Sequence, residues 1–308
     1  MTAGYFSERW SEDAPAVPVP EGLPYDWPNR SASSRIDAGG LTWHVQRMGA
    51  GPPLLLLHGT AASTHTWRDL MPLLAADYDV LAMDLPGHGY SERRNDGLMT
   101  LPALSSSVSI LLDVLDFRPR FAVGHSAGAA IALRLALDGA IRPELVIGLN
   151  AALLPFGGAL KVVFSPLARM FANTRLMPRM VARRARDLKA VKRVLVGTGS
   201  TIDEAGIDYY QRLLQREGHV AAVLAMMASW DLVPLLDDLP TLDAQLHLVA
   251  GERDKAVSPS EADAIARVLP STEVTRLADC GHLAHEEQPA RIADLIRRAC
   301  GVHGDDDA

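Results

Sequence analysis

The chain has 308 residues, of which 48% are hydrophobic and 22% charged, and carries a formal net charge of −7, ordinary globular composition with enough apolar material for a sizeable core. The acid excess argues against a nucleic-acid partner, and two cysteines, Cys280 and Cys300, give neither a disulfide framework nor metal-ligand spacing. No apolar run reaches bilayer length and the N-terminus lacks a basic stretch followed by an apolar one, so a cytoplasmic protein with no metal and no cofactor is expected.

Residues 1–35 read as an extended N-terminal arm, punctuated by Pro15, Pro18, Pro20 and Pro24, with Trp10 and Trp27 able to lie on the body. Strand patterns begin at Leu41–Gln46. Four consecutive leucines, Leu54–Leu57, bounded by turn residues, suit a strand buried on both faces of a parallel sheet. A helical stretch (Thr66–Ala75), a strand (Val80–Met83), a helix near Leu101–Leu115 and strands at Phe121 and Leu145–Leu149 follow. From 151 to 236 the alternation gives way to a helical pattern broken by Pro155, Pro166, Pro178 and Gly197–Gly199. It resumes with strand Gln245–Ala250, a helix announced by the capping-box sequence Ser258-Pro259-Ser260-Glu261, strand Glu273–Leu277 and helix Pro289–Cys300. Strand–helix alternation predicts an α/β fold with a mostly parallel central sheet and helices on both faces. The core is assigned to 36–150 and 237–302, and 151–236 to a helical lid or cap.

The chemistry centres on Gly124-His125-Ser126-Ala127-Gly128, which lies between an apolar strand and a small-residue helix. In that context the serine sits on a turn so tight that Gly124 and Gly128 cannot carry side chains. Working residues in such sheets lie at the carboxyl ends of strands. There the chain places Asp254 in Gly-Glu-Arg-Asp and His282 in Gly-His-Leu. Ser126 as nucleophile, His282 as base and Asp254 as its orienting acid form the expected triad. Asp231, Asp237 and Asp238 compete for the acid role and His285 for the base. His65 is a candidate for lining the site, His58, His88 and His125 for fixing loops, and Cys280 for a packed thiol. Gly197-Thr198-Gly199-Ser200-Thr201 has no lysine for a phosphate loop and no third glycine for a dinucleotide fold. His285-Glu286-Glu287-Gln288-Pro289 has no second histidine for a zinc helix.

Together, His58-Gly59, Asp84-Leu85-Pro86-Gly87-His88-Gly89, the elbow, Gly-Glu-Arg-Asp and Gly-His-Leu resemble the α/β-hydrolases across residues 36–300. The resemblance implies an oxyanion hole made by the backbone N–H groups of Thr60 and Ala127, with His58, Gly59, Gly124 and Gly128 setting loop and elbow geometry. Serine at position 126, rather than aspartate, argues against haloalkane or epoxide opening.

Between Lys161 and Arg193 ten basic residues face only Asp187, a net +9 that leaves −16 on the rest. Interleaved apolar residues make this a candidate surface for an anionic membrane or a flat anionic ligand, with Arg179, Arg183, Arg184 and Arg186 as contacts; a solvated lid face is the plainer alternative. Trp27-Pro28-Asn29-Arg30, the runs Gly39–Val45 and His58–Leu70, Gly124–Ala130 and Phe164–Arg169 are similar to the magnesium-chelatase accessory proteins (BchO type) of bacteriochlorophyll biosynthesis. That similarity implies a helper role near magnesium insertion, with magnesium chelatase and a tetrapyrrole as partners and a location peripheral to the inner membrane. Two functions follow: a serine hydrolase acting on a carboxylic ester, or a non-catalytic tetrapyrrole-binding or membrane-associated accessory on the same scaffold.

Overall fold

The computed structural model describes residues 22–155 and 176–301; Trp10 and the basic residues Lys161, Arg169 and Arg175 lie outside them. Eight strands form one sheet in the order β1-β2-β4-β3-β5-β6-β7-β8. They are β1 Ser33–Ala38, β2 Leu41–Met48, β3 Pro53–Leu57, β4 Asp79–Met83, β5 Phe121–His125, β6 Leu145–Leu149, β7 Gln245–Gly251 and β8 Glu273–Leu277. The pairs β1–β2 and β2–β4 are antiparallel and the remaining five are parallel. The fold is thus an α/β-hydrolase sheet with one antiparallel flank.

The leucines of β3 show how the sheet is held. Leu55 and Leu57 join one apolar cluster, with Leu104, Val108 and Leu111 of α2 (Leu101–Val114) and Ile131 of α3 (Ala127–Leu137). Leu54 and Leu56 join the other, with Leu70 and Leu74 of α1 (Leu70–Leu74) and Ile292 and Ile296 of the C-terminal helix Pro289–Ala299. A period of two sends alternate side chains to opposite faces, so a strand covered by helices on both sides must be apolar at every position.

Five helices occupy the described part of the insert between β6 and β7: α4 Leu176–Arg184, α5 Leu188–Gly197, α6 Glu204–Leu214, α7 Glu217–Ser229 and α8 Val233–Asp238. Gly199, at φ 85°, turns the chain after α5. Three local readings are corrected. Strand β1 begins at Ser33, inside the stretch read as arm, because its partner is the antiparallel β2 and not a helix-crossed neighbour. Pro178 does not interrupt α4, which runs through it from Leu176 to Arg184. The capping box does not form. The helix after it, α9 (Ser260–Val268), has no side-chain cap, Glu261 N–H donates to the Ser258 carbonyl, and the Ser258 hydroxyl pairs with that of Ser260 at 2.7 Å.

Candidate active site

Ser126 stands between β5 and α3 at φ 52°, ψ −118°, a conformation that costs a non-glycine residue roughly 1–3 kcal/mol. The turn is over-determined by its surroundings. A Cβ on Gly124 would lie 2.4 Å from Ala129 Cα, and one on Gly128 2.1 Å from the Leu57 carbonyl oxygen. Ser126 N–H donates to the Leu149 carbonyl at 3.0 Å, while the Ser126 carbonyl accepts Ala129 N–H at 3.2 Å. Ala127 opens α3, so its N–H belongs to the first turn and is free of an intrahelical acceptor.

Asp254 follows β7 and uses every side of its carboxylate. Oδ1 accepts the backbone N–H groups of Ala256 (2.7 Å) and Val257 (2.9 Å). Oδ2 accepts Asn150 Nδ2–H (2.9 Å) and His282 Nδ1–H (2.8 Å). The last bond leaves Nε2 as the basic nitrogen of the His282 ring. His125 Nε2 donates to the His282 carbonyl at 2.9 Å, tying the elbow to the histidine loop. Ser126 and His282 line one cavity, although Ser126 Oγ makes no hydrogen bond among the described residues. Such contacts are often open in unliganded sites and close around substrate.

That cavity has a volume of about 300 Å³. Thr60, Ala127, Ser126 and His282 line its catalytic end, and Leu195, Leu214, Val223, Met226 and Trp230 come from the insert and its end. No Lys, Arg, Asp or Glu occurs among its described lining residues. The geometry can therefore hold an apolar group against a polar reacting centre.

His58 fixes the loop after β3, accepting Leu85 N–H on Nε2 (2.9 Å) and donating from Nδ1 to the Gly59 carbonyl (2.8 Å). Burial pushes its pKa down. Gly59 must lack a side chain, since its Cβ would meet Ser126 Cβ and His125 Nδ1 at 2.9 Å. His88 packs against His58, ring centroids 5.4 Å apart. His285 is fully buried and pairs through Nε2 with Thr66 Oγ1 at 2.7 Å. His65 does not line the cavity; it is buried against Ser63 Oγ (2.7 Å) and the Tyr210 ring. Cys280 is a packed thiol, its pKa pushed up by burial to about 11. Asp238 pairs with Arg134 at the surface and Asp231 caps Val233 N–H, away from the histidine. Arg179 pairs with Glu217 and Arg184 with Asp187; Arg183 and Arg186 are exposed with no ion pair among the described residues, and none of the four lines the cavity.

Two features escaped the sequence reading. Asn150, at φ 47° just past β6, orients Asp254; its place at the carboxyl end of a strand was the available signal. Glu286 is buried and gathers Arg68, Thr66 Oγ1 (2.6 Å) and Tyr210 OH (2.7 Å), fastening α6 to the core beneath the cavity. No local pattern announces it.

A model of the alpha/beta hydrolase family matches residues 54–295. Over 279 residues the chain is 41% identical to the magnesium-chelatase 30 kDa subunit of Rhodobacter capsulatus, covering 90% of this chain and 97% of that protein. It is 30% identical over 263 residues to an uncharacterized hydrolase of Bacillus subtilis, covering 82% of this chain and 91% of the other. The crystal structure of the enol-lactonase from Burkholderia xenovorans matches with a TM-score of 0.68 at 20% identity, over 86% of this chain and 98% of that one, a likeness of fold alone. With the family match running from β3 into the last helix, and the sheet and elbow built as described, the chain belongs to the alpha/beta hydrolase family.

Proposed function

We propose that the protein is a serine hydrolase that cleaves a carboxylic ester with an apolar acyl or alkoxy group. The observation that carries this is a serine strained into the left-handed region at the end of an apolar cavity that also holds an Asp-oriented histidine. In this reading Ser126 Oγ attacks the ester carbonyl as His282 Nε2 takes its proton. Asp254 holds the imidazolium that forms. The N–H groups of Thr60 and Ala127 receive the oxyanion, each contributing about 3 kcal/mol in the transition state. His282 then protonates the departing alkoxide, and water, deprotonated by the same ring, releases the acid. The insert acts as a lid over the core, its helices supplying much of the apolar wall. Labelling of Ser126 by a fluorophosphonate, followed by a panel of p-nitrophenyl esters of rising chain length, tests it. A wild-type protein that neither labels nor turns over any ester would sink this reading.

A second reading is favoured by the identity to the magnesium-chelatase subunit, which extends across almost the whole of that protein. It is an accessory role near magnesium insertion in bacteriochlorophyll biosynthesis, in association with magnesium chelatase, a tetrapyrrole or its ester being the small-molecule partner. Full complementation of a pigment-deficient strain by Ser126→Ala would place binding above catalysis. The exposed Leu176, Met180 and Val196 beside Arg183 and Arg186 support peripheral contact with an anionic inner-membrane surface, at about 1 kcal/mol per cation before screening. In co-sedimentation with phosphatidylserine vesicles, Arg183→Gln/Arg186→Gln should bind more weakly than wild type. No difference across a salt series would return this face to solvent. No single helix among the described residues is long and apolar enough to cross a membrane.

A further inference from the structure

The glycine-rich stretch 197–201, which fits neither a phosphate loop nor a dinucleotide fold, is packed against the catalytic end of the sheet. After α5 the chain passes between two core loops, the one after β7 that carries Asp254 and the one after β8 that carries His282. A Cβ on Gly199 would run into the Arg253 carbonyl, and one on Gly281 into the Gly199 backbone, so the three segments meet main chain to main chain. Lys255 N–H, one residue past Asp254, donates to the Thr198 carbonyl at 3.0 Å. Leu283 N–H, one residue past His282, donates to Ser200 Oγ at 2.8 Å. Ser200 is buried, and its hydroxyl pairs with Thr198 Oγ1 at 3.1 Å. Glu287 bridges the same two segments, Oε1 accepting Gly281 N–H at 2.8 Å and Oε2 accepting Thr201 N–H at 3.1 Å. The core holds the histidine loop by its carbonyls: that of Gly281 accepts Asn150 Nδ2–H at 3.2 Å, and that of His282 accepts His125 Nε2–H at 2.9 Å. Among the described residues, Leu283 N–H finds its acceptor only in the insert. The planar peptide between His282 and Leu283 is therefore held by the elbow at its oxygen and by Ser200 at its nitrogen.

We propose that Ser200 is a positioning residue for His282, and that the turn 198–201 clasps the acid and histidine loops together. This rests on the hydrolase reading for its catalytic meaning, not for its geometry. Asp254 and His282 stand on separate loops and meet through one bond of 2.8 Å. Ser200 sets the plane of the peptide from which the His282 ring projects, and the Thr198 carbonyl holds the chain just past Asp254. A ring that drifts from either hold presents Nε2 to the serine at the wrong angle. The insert is thereby divided in two parts. Its α5–α6 turn belongs to the catalytic centre, and any opening of the cavity that keeps the triad intact has to move the flanking helices about that turn.

The test separates this from simple packing. Ser200→Ala removes the acceptor and adds no bulk. It should lower kcat for a p-nitrophenyl ester about 10- to 100-fold, the cost of misplacing a reacting group by on the order of 1 Å, with KM within about two-fold of wild type. In the wild-type protein the Nδ1–H shared with Asp254 should give a low-field proton resonance, assigned by its loss in His282→Ala. Ser200→Ala should shift or broaden that resonance, and its Leu283 amide should exchange faster. Ile296→Val, in the apolar layer of the C-terminal helix, is the control for lost stability and should leave the resonance and kcat as they are. An unchanged kcat in Ser200→Ala, or an unaltered resonance with a Leu283 amide exchanging no faster than in Ile296→Val, would overturn the proposal. A wild-type protein that turns over no ester would instead remove the hydrolase reading, and the resonance and the Leu283 exchange would then decide the clasp on their own.

Discussion

Two Ser–His–Asp arrangements stand out among the described residues, and the more complete one is buried. His44 Nδ1 lies 2.8 Å from Asp84 Oδ2, and His44 Nε2 lies 3.0 Å from Ser33 Oγ. Gln46 Nε2 donates to Ser33 Oγ at 3.1 Å, so Ser33, His44 and Asp84 form a continuous hydrogen-bonded chain with the spacing of a catalytic relay. Asp84 also accepts the backbone N–H groups of Thr64 and Tyr90, as Asp254 accepts those of Ala256 and Val257. Burial works to raise the Asp84 pKa, but His44 and those donors hold it well below the usual carboxylate range. Ser33, His44 and Asp84 are 3%, 0% and 0% exposed, and Ser33 sits in extended backbone at φ −80°. Ser126 lacks a bond to its histidine but has a strained elbow, a helix N-terminus and an apolar cavity. Three side chains at hydrogen-bond distance therefore do not make a nucleophile; access and preorganised donors do. The buried set instead ties the antiparallel flank to the turn after β4.

The widest separation between the two sets is in turnover. Ser126→Ala or His282→Ala should lower ester hydrolysis at least about 10⁴-fold with the unfolding midpoint little changed. His44→Ala should do the reverse. Leaving Asp84 buried without its partner costs about 3–5 kcal/mol, yet the folded fraction should still titrate with fluorophosphonate at Ser126. Thermal melts and active-site titration on the same samples check both. Loss of labelling in folded His44→Ala would erase the distinction.

Acid should attack the fold through the histidines around both sets. Burial lowers the pKa of His58, His65, His88 and His125, of His219 to about 4 and of His285 to about 3. In the unfolded chain each titrates near about 6.5. Below that the unfolded state binds more protons, so the stability these groups allow is complete above about pH 6.5 and is lost as pH falls toward the folded values. Each contributes a slope of up to about 1.4 kcal/mol per pH unit. Glu286, its pKa raised by burial, works in the opposite direction. Urea midpoints should drop steeply from pH 6.5 to 4.5, and a flat profile would contradict neutral burial.

What could be read in the sequence was local pattern plus chain order. The Leu54–Leu57 run, the glycines flanking Ser126 and the succession Ser126, Asp254, His282 each rest on a rule that needs no partner elsewhere. Asp254 and His282 do meet, at 2.8 Å. The buried set could not be seen, because Ser33 meets His44 only through the register of β1 on β2, which no single strand encodes. The same holds for Glu286 and Arg68, 218 residues apart. Pro178 and the Ser258 cap failed in the opposite way: a local signal was present, and the chain took another local arrangement.

Asn150 measures how finely the accessible set is tuned. Asn150→Gly keeps a residue at ease at φ 47° but removes the Nδ2 bonds to Asp254 Oδ2 and the Gly281 carbonyl. A hydrogen bond to a charged group contributes about 1.5–3 kcal/mol, so kcat should fall about 10- to 100-fold. Asn150→Asp should also move the acid limb of the rate profile to higher pH, because two adjoining carboxylates cannot both ionise readily. Unchanged kinetics in both would mean that Val257 and Ala256 suffice to hold Asp254.

Ser33→Ala carries the smallest expected effect and cuts the comparison most cleanly. The change removes the hydroxyl paired with His44 Nε2 and leaves a buried nitrogen without a partner. Gln46 Nε2 keeps the Pro28 carbonyl at 2.7 Å, so only one polar atom is orphaned. The loss should be about 1–2 kcal/mol, a few degrees in Tm for a chain of this size. Ester turnover and Ser126 labelling should stay within about two-fold of wild type, since nothing in the cavity moves. Were Ser33→Ala as inactive as Ser126→Ala while still folded, the buried relay would have to reach substrate by some route. The separation between a structural and a catalytic arrangement of the same three residue types would then be wrong.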